Sequence, residues 1–390
     1  MDFHQASFRR MTGDPRSGFV AYELMLLLIA IPVCLYGACL LVNSDMSGKA
    51  RVAGTTISEH SVLRISLDSD GKRAWFYRRH NEVGLLDLET SEIVKSLHLR
   101  RSDLRTIAHS RDGRSSLLCY QDGASSFLHD EDELNLTQPP QRDGIVSALI
   151  GQTGEIAISA TTSGGIQGWS RRGNNWIPFQ YQIPSSAPVS RIFLNPSGTR
   201  LCVARVNGNV SFHCPQTGAS EGVLLNVGRN CAAFACSQDL HRLAAYTQEG
   251  SMQVFDLATN RPAYSEWKPV TNTNGFPTVL EFSPDGRLLA VVVNTAAAIN
   301  IVEVETGLVA GRLSGHQGVI RTVQFSVDSK RLYSGGLDGT IREWSLDKWT
   351  QRRLYLINQY SDDMTSEIPG KFTWEPRPTS AQRSRYCQMT

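Results

Sequence analysis

Seven times along this chain a two-residue turn recurs at nearly constant spacing. The pairs are Asp70-Gly71, Asp112-Gly113, Thr153-Gly154, Ser197-Gly198, Asp239-Leu240, Asp285-Gly286 and Asp328-Ser329, separated by steps of 42, 41, 44, 42, 46 and 43 residues. A second column lies toward the end of each unit's third apolar run. It holds Leu86, Leu128, Trp169, His213, Phe255, Val302 and Trp344, with steps of 42, 41, 44, 42, 47 and 42. Two independent columns on one period exclude chance placement of turns. Around them, short alternating or apolar runs are broken by DG, NG, GG and PSG turns, the mark of many short antiparallel strands.

A repeat of about 40–45 residues with three to four strands per unit predicts the blades of a propeller. The expected fold is therefore all-β: a seven-bladed β-propeller of four-stranded antiparallel blades over residues 51–358. Each unit reads alike. An inner run such as Val279-Leu280-Glu281-Phe282-Ser283 precedes the turn, and a second apolar run such as Leu288-Leu289-Ala290-Val291-Val292-Val293 follows it. A third run ends near Glu305-Thr306-Gly307, and a fourth leads into the next unit. Neighbouring blades must stack to bury both faces, so no blade is stable alone. The chain is 41% hydrophobic, enough for such a core.

The last unit carries a recognisable signature. Ser314-Gly315-His316, Val323-Gln324-Phe325-Ser326, Leu332-Tyr333-Ser334-Gly335-Gly336, Asp338-Gly339-Thr340-Ile341-Arg342 and Trp344 together resemble a near-complete WD repeat. The resemblance implies a structural hydrogen-bonded tetrad of His316, Ser334, Asp338 and Trp344. Units 1, 5 and 6 keep only an acidic residue after the second column (Asp87, Asp256, Glu303), and units 2 and 4 keep little beyond period and hydrophobicity. Val52-Ala53-Gly54 with Ser58-Glu59-His60 parallels Val309-Ala310-Gly311 with Ser314-Gly315-His316. In propellers of that family such an N-terminal strand completes the last blade, so residues 51–58 are expected as the outer strand of blade 7. Arg353-Leu354-Tyr355-Leu356-Ile357 competes for the place.

Ahead of the repeats, Leu24 to Val42 form 19 consecutive uncharged, mostly apolar residues. As a helix they would extend about 28 Å, close to the hydrocarbon thickness of a bilayer. Residues 19–43 are thus expected to be a single transmembrane α-helix preceding the propeller, with 1–18 a basic leader and 44–50 a tether. Arg9, Arg10 and Arg16 before the span, against Lys49 and Arg51 after it, favour a cytoplasmic N-terminus and a propeller on the outer, or periplasmic, side. Gly18, Phe19 and Glu23 match in identity and spacing a type IV prepilin leader, in which cleavage follows the Gly. That resemblance covers about 25 residues and ends where Asn43, Gly48 and Gly54 interrupt any long helix. Residues 359–390, polar and rich in Pro, Ser and Arg, read as a disordered tail.

Function is less legible. A net charge of +2 makes no case for nucleic acid. Of eight Cys, none forms a CxxC pair or a metal-ligand spacing, and most read as small buried hydrophobes. No HExxH, GxSxG or phosphate-cradling loop is present, so neither catalysis nor a cofactor is expected. The inner runs place Arg64, Arg105, Arg191 and Arg321 at comparable positions, with Glu281 nearby. Pointing together, the four would form a basic ring at the channel mouth, suited to an acidic peptide or anion. The reading is a membrane-anchored scaffold that binds other proteins, with the bilayer contacted through residues 19–43. Two alternatives stand beside it: a pilin-like component of a filament or secretion assembly, and a propeller enzyme using its central channel.

Overall fold

The computed structural model describes residues 51–52, 55–56 and 60–357, except 100, 102, 111–112, 130–131, 137–143, 153, 174, 182–186, 229–230, 248–250, 264–276 and 294–296. Seven four-stranded antiparallel sheets follow one another, over 62–98, 104–136, 145–180, 189–226, 231–262, 277–314 and 320–356. In every sheet the spatial order of strands is their order in the chain.

The turn column is the point where each blade folds back. Gly71, Gly113, Gly154, Gly198, Leu240, Gly286 and Ser329 all have positive φ, between 55° and 70°. A left-handed residue is needed there to reverse the chain in so few residues, and glycine adopts that conformation without steric cost. A side chain then ties the turn. Ser237, Ser283 and Ser326 oxygens accept the N–H of Arg242, Leu288 and Arg331, each at 2.9 Å. Asn195 does the same in blade 4, accepting from Thr199 and Arg200 at 2.9 Å. At Gly286 an added Cβ would meet no atom within 4 Å, so only backbone strain opposes a side chain there. Gly286→Ala is expected to cost about 1 kcal/mol, the left-handed penalty less the gain from stiffening the unfolded chain. A denaturation midpoint unchanged from the parent would sink this account of the turn.

The second column is the core. Leu86, Leu128, Trp169, His213, Phe255, Val302 and Trp344 are all buried, and each pairs with the first or second residue of the strand before it. Apolar clusters lie between blades more than within them. One joins Ala290, Val292 and Ile299 of blade 6 to Phe325, Leu332 and Trp344 of blade 7.

Every inner strand also carries a register shift near its start, at Val62/Arg64, Leu104/Thr106, Ile145/Ser147, Val189/Arg191, Cys231/Ala233, Pro277/Val279 and Ile320/Thr322. A bulge leaves one residue unpaired and re-aims those that follow.

Closure of the ring differs from the expectation. The outer strand of blade 7 is Thr350–Leu356, not residues 51–58; Thr55–Thr56 belongs to a separate two-stranded ladder. The C-terminal strand wins because it reaches its place by a tight turn from Ser345, pairing Ser345 with Thr350 and Thr340 with Leu356. Among the described residues no strand ladder joins blades 7 and 1, and each bond between them has a side chain on one end. Ile65 N–H donates to Thr322 Oγ1 at 3.2 Å and Leu67 N–H to Gln324 Oε1 at 3.2 Å. Tyr355 donates to the Leu88 carbonyl at 3.1 Å, and Arg78, ion-paired with Glu82, donates to the Ile357 carbonyl. Val62, Ile65, Phe76 and Leu86 of blade 1 pack with Tyr333, Ile341, Tyr355 and Ile357 in one cluster.

The expected leader, the transmembrane helix at 19–43, the prepilin-like Gly18, Phe19 and Glu23, the tether and the tail lie outside the described residues. Among the described residues no helix is long and apolar enough to cross a membrane.

Candidate functional site

Two constellations of polar side chains stand out, one in blade 7 and one in the central channel. In blade 7 the structure brings His316, Ser334, Asp338 and Trp344 together. Trp344 Nε1–H donates to Ser334 Oγ at 2.7 Å, and Ser334 Oγ lies 2.7 Å from His316 Nε2. His316 Nδ1 lies 2.9 Å from one Asp338 oxygen and 3.1 Å from the other. A carboxylate only accepts, so Nδ1 carries the proton, and Nε2 faces the Ser334 hydroxyl, which can donate or accept. Burial pushes the Asp338 carboxyl up, but the hydrogen bond from His316, with help from Gln317 N–H and Thr340, holds it at about 2.

The order serine–histidine–aspartate is that of a hydrolytic triad. Ser334, however, is fully buried, and its oxygen already receives the Trp344 indole. No substrate carbonyl can reach it, so the chain of bonds fastens two strands and the connection from blade 6.

The same place is filled differently elsewhere. Gly336 ends the second strand of blade 7, where a Cβ would stand 3.0 Å from both His316 Nδ1 and Asp338 Oδ1. The corresponding residue is Arg78 in blade 1 and Arg205 in blade 4, both buried. Arg78 reaches the Ile357 carbonyl, and Arg205 Nη1 donates to the Ala187 carbonyl at 2.6 Å. Arg205 ties its strand to the segment entering its blade, as the tetrad does in blade 7, whereas Arg78 ties blade 1 to the residue after the outer strand of blade 7. Sequence reasoning passed over this substitution. Its signal is a charge ending an otherwise apolar strand, as in Leu201-Cys202-Val203-Ala204-Arg205.

The four channel arginines do not share one level. Arg64 and Arg191 are the residues that resume pairing after the bulge, opposite Tyr77 and Ala204. Arg105 and Arg321 are the bulged residues themselves, one position nearer the strand start. The level of Arg64 and Arg191 is completed by Thr106, Ser147, Ala233, Val279 and Thr322. Arg64 Nη2 donates to Thr106 Oγ1 at 3.0 Å. Arg191 Nη1 makes two long bonds of 3.4 Å, to the carbonyls of Phe234 and Leu280, and Nη2 lies 3.8 Å from Glu281.

Enclosure governs the charges. Although Arg64 is exposed to the channel, the protein packed around it brings its guanidinium down to about 10, with Arg191 pushing the same way and Glu281 opposing. Burial raises the Glu281 carboxyl against the pull of both arginines.

His109, stacked on Trp75 at 5.1 Å and 2.7 Å from Ser116 Oγ, is held down at about 3 by burial and by the Arg64 charge. A histidine that protonates more easily when unfolded destabilises the fold in acid. Its stabilising contribution is complete above the unfolded value near 6.5 and shrinks as pH falls toward 3. Between pH 7.5 and 5.5 this histidine alone should remove about 1.4 kcal/mol of stability. His109→Phe, which keeps the stacking but cannot titrate, should lose that much less than the parent over the same interval. Parallel pH profiles for the two proteins would refute this.

Among the described residues no group of three or more His, Cys, Asp or Glu side chains is arranged to hold a metal ion. Cys119, Cys202 and Cys231 are buried.

Comparison with known proteins agrees with the fold. Residues 307–345 match the family model "WD domain, G-beta repeat". The chain is 31% identical over 113 residues, 29% of its length, to an uncharacterized WD repeat-containing protein of Synechocystis sp.. It is 37% identical over 68 residues, 17% of its length, to the Periodic tryptophan protein 2 homolog of Neurospora crassa. Those matches span only 31% and 8% of the two relatives. The β-propeller domain of Cps50 (Swd1) from Myceliophteria thermophila superposes with a TM-score of 0.63 at 16% identity, covering 76% of this chain and 99% of that one.

Proposed function

We propose that this seven-bladed propeller, with a WD repeat in its last blade, is a docking platform for other proteins held at a membrane by residues 19–43. One observation carries the docking reading. The polar constellation a sequence search singles out in blade 7 is consumed in fastening strands, which leaves the loops to recognise partners. Rigid blades supply stability while variable loops supply specificity, and the WD-type match is to a repeat typical of such scaffolds. The anchoring reading rests on the 19 uncharged residues from Leu24 to Val42 and on the arginines before them. In it the N-terminus is cytoplasmic and the propeller faces the opposite compartment.

Both readings are tested on the full chain in its native membrane. Resistance to alkaline carbonate extraction supports the anchor, and release into the wash overturns it. Cross-linking with mass spectrometry should return a reproducible protein neighbour attached through propeller loops. A chain cross-linked to nothing would overturn the platform.

The prepilin-like spacing of Gly18, Phe19 and Glu23 favours a second reading, a pilin-like subunit bearing a propeller head. Intact mass decides it. A mature chain beginning at Phe19 supports that assembly, and one retaining the residues before Gly18 excludes it.

A further inference from the structure

The central channel carries a charge arrangement that the docking reading does not use. Arg64 of blade 1 and Arg191 of blade 4 line one cavity of about 260 Å³, together with Ser147, Phe193, Cys236 and Leu240. Both guanidiniums stand at the same level of the ring, three blades apart. Among the described residues a single carboxylate, Glu281, lies beside them, and at 3.8 Å from Arg191 it is too far for a hydrogen bond. Two cations thus share one anion.

Their donors are also sparsely used. A guanidinium presents five N–H groups in a rigid fork. Arg64 spends one on Thr106, and Arg191 makes only the two long bonds to carbonyls. Water in the channel reaches Arg191 and Glu281, each about a third exposed (33%), and Arg64 is exposed as well. Like charges lining one concave passage reinforce each other's field more than the same charges scattered on an open surface. His109, kept neutral, adds no further positive charge. Arg105 and Arg321, the bulged residues one position nearer the strand starts, do not line that cavity.

We propose that the channel is an oxyanion site, in which a phosphate or carboxylate group sits between the forks of Arg64 and Arg191 and draws Arg191 away from Glu281. Forked guanidiniums match the geometry of both groups. The cavity is smaller than the roughly 300–1,000 Å³ of ordinary small-molecule pockets, which suits a free small anion or a single acidic group carried on a larger ligand. Glu281 is the built-in competitor. Its carboxylate occupies part of the positive field and sets how tightly an incoming anion is held.

Titration calorimetry on the full chain in detergent, at fixed ionic strength, tests the site with two probes: inorganic phosphate and a triglutamate peptide. Saturable binding of phosphate with one site per chain is expected. Arg64→Gln and Arg191→Gln should each weaken it at least tenfold. Glu281→Gln should tighten it several-fold, a gain that misfolding cannot mimic. Binding of phosphate alone identifies a free anion as the ligand, while binding of both probes identifies an acidic group presented by a partner. The proposal is overturned if neither probe binds saturably, if binding survives in the double arginine variant, or if Glu281→Gln leaves affinity unchanged or lower. Neither result bears on docking to the loops.

Discussion

Replacing Arg78 with methionine is expected to lower the stability of the propeller by about 3–5 kcal/mol, the usual consequence of stranding one member of a buried ion pair. Arg78 is 1% exposed, and its partner Glu82 has a side chain only 9% exposed. Glu82 is further held by Ser96 Oγ–H at 2.8 Å. Removing the guanidinium leaves that carboxylate buried without a counter-charge and frees the Ile357 carbonyl just after the last described strand. The damage therefore falls where blades 7 and 1 meet. Glu82→Gln should cost nearly as much, since it strands the cation instead. The double variant Arg78→Met/Glu82→Met removes both charges and should recover most of the loss. Chemical denaturation of the four proteins completes the cycle. A single variant within 1 kcal/mol of the parent would show that the ring is closed by packing alone.

Trp344→Ala should be comparably damaging, by roughly 3–5 kcal/mol, because it empties a large volume in the cluster between blades 6 and 7. Trp344→Phe separates packing from bonding. It keeps most of the ring but deprives Ser334 of its indole donor, and should cost about 1–3 kcal/mol. Ser334→Ala should approach the phenylalanine variant, since it leaves the buried indole N–H and His316 Nε2 without partners. If Trp344→Phe were as damaging as the alanine variant, the polar chain and not volume would dominate. If Ser334→Ala were neutral, the hydrogen bonds would contribute nothing net.

The architecture was legible because its two sequence columns correspond to two physical necessities. One is a left-handed turn at a fixed point in each blade; the other is a buried side chain at a fixed place in the third strand. Even Leu240 and Ser329, which break the glycine rule, take positive φ and keep the register. The ring closure was not legible. Two segments of similar strand character competed for one edge, and only the turn from Ser345 to Thr350 decides between them. The channel arginines were half legible. Arg64 and Arg191 stand seven residues before the left-handed residues Gly71 and Gly198, whereas Arg105 and Arg321 stand eight before Gly113 and Ser329. Counting back from the turn would have separated the two levels. The Arg78–Glu82 pair was missed because a charge beside the aromatic run Trp75-Phe76-Tyr77 reads as a strand end at the surface, and nothing local shows that the last strand covers it.

Because each sheet is drawn from one uninterrupted stretch of chain, the connection between any two blades can be cut without cutting a sheet. The molecule is in this sense permutable. New termini placed in any inter-blade connection, with the old ones joined by a linker, would leave all seven sheets whole and reorder only which pair of blades meets without a connecting segment. The same property makes a blade a self-contained unit of duplication. A copied stretch of about 42 residues arrives with its turn, its buried column and both faces for stacking, and it then diverges freely at the loops while those three features hold its place in the ring.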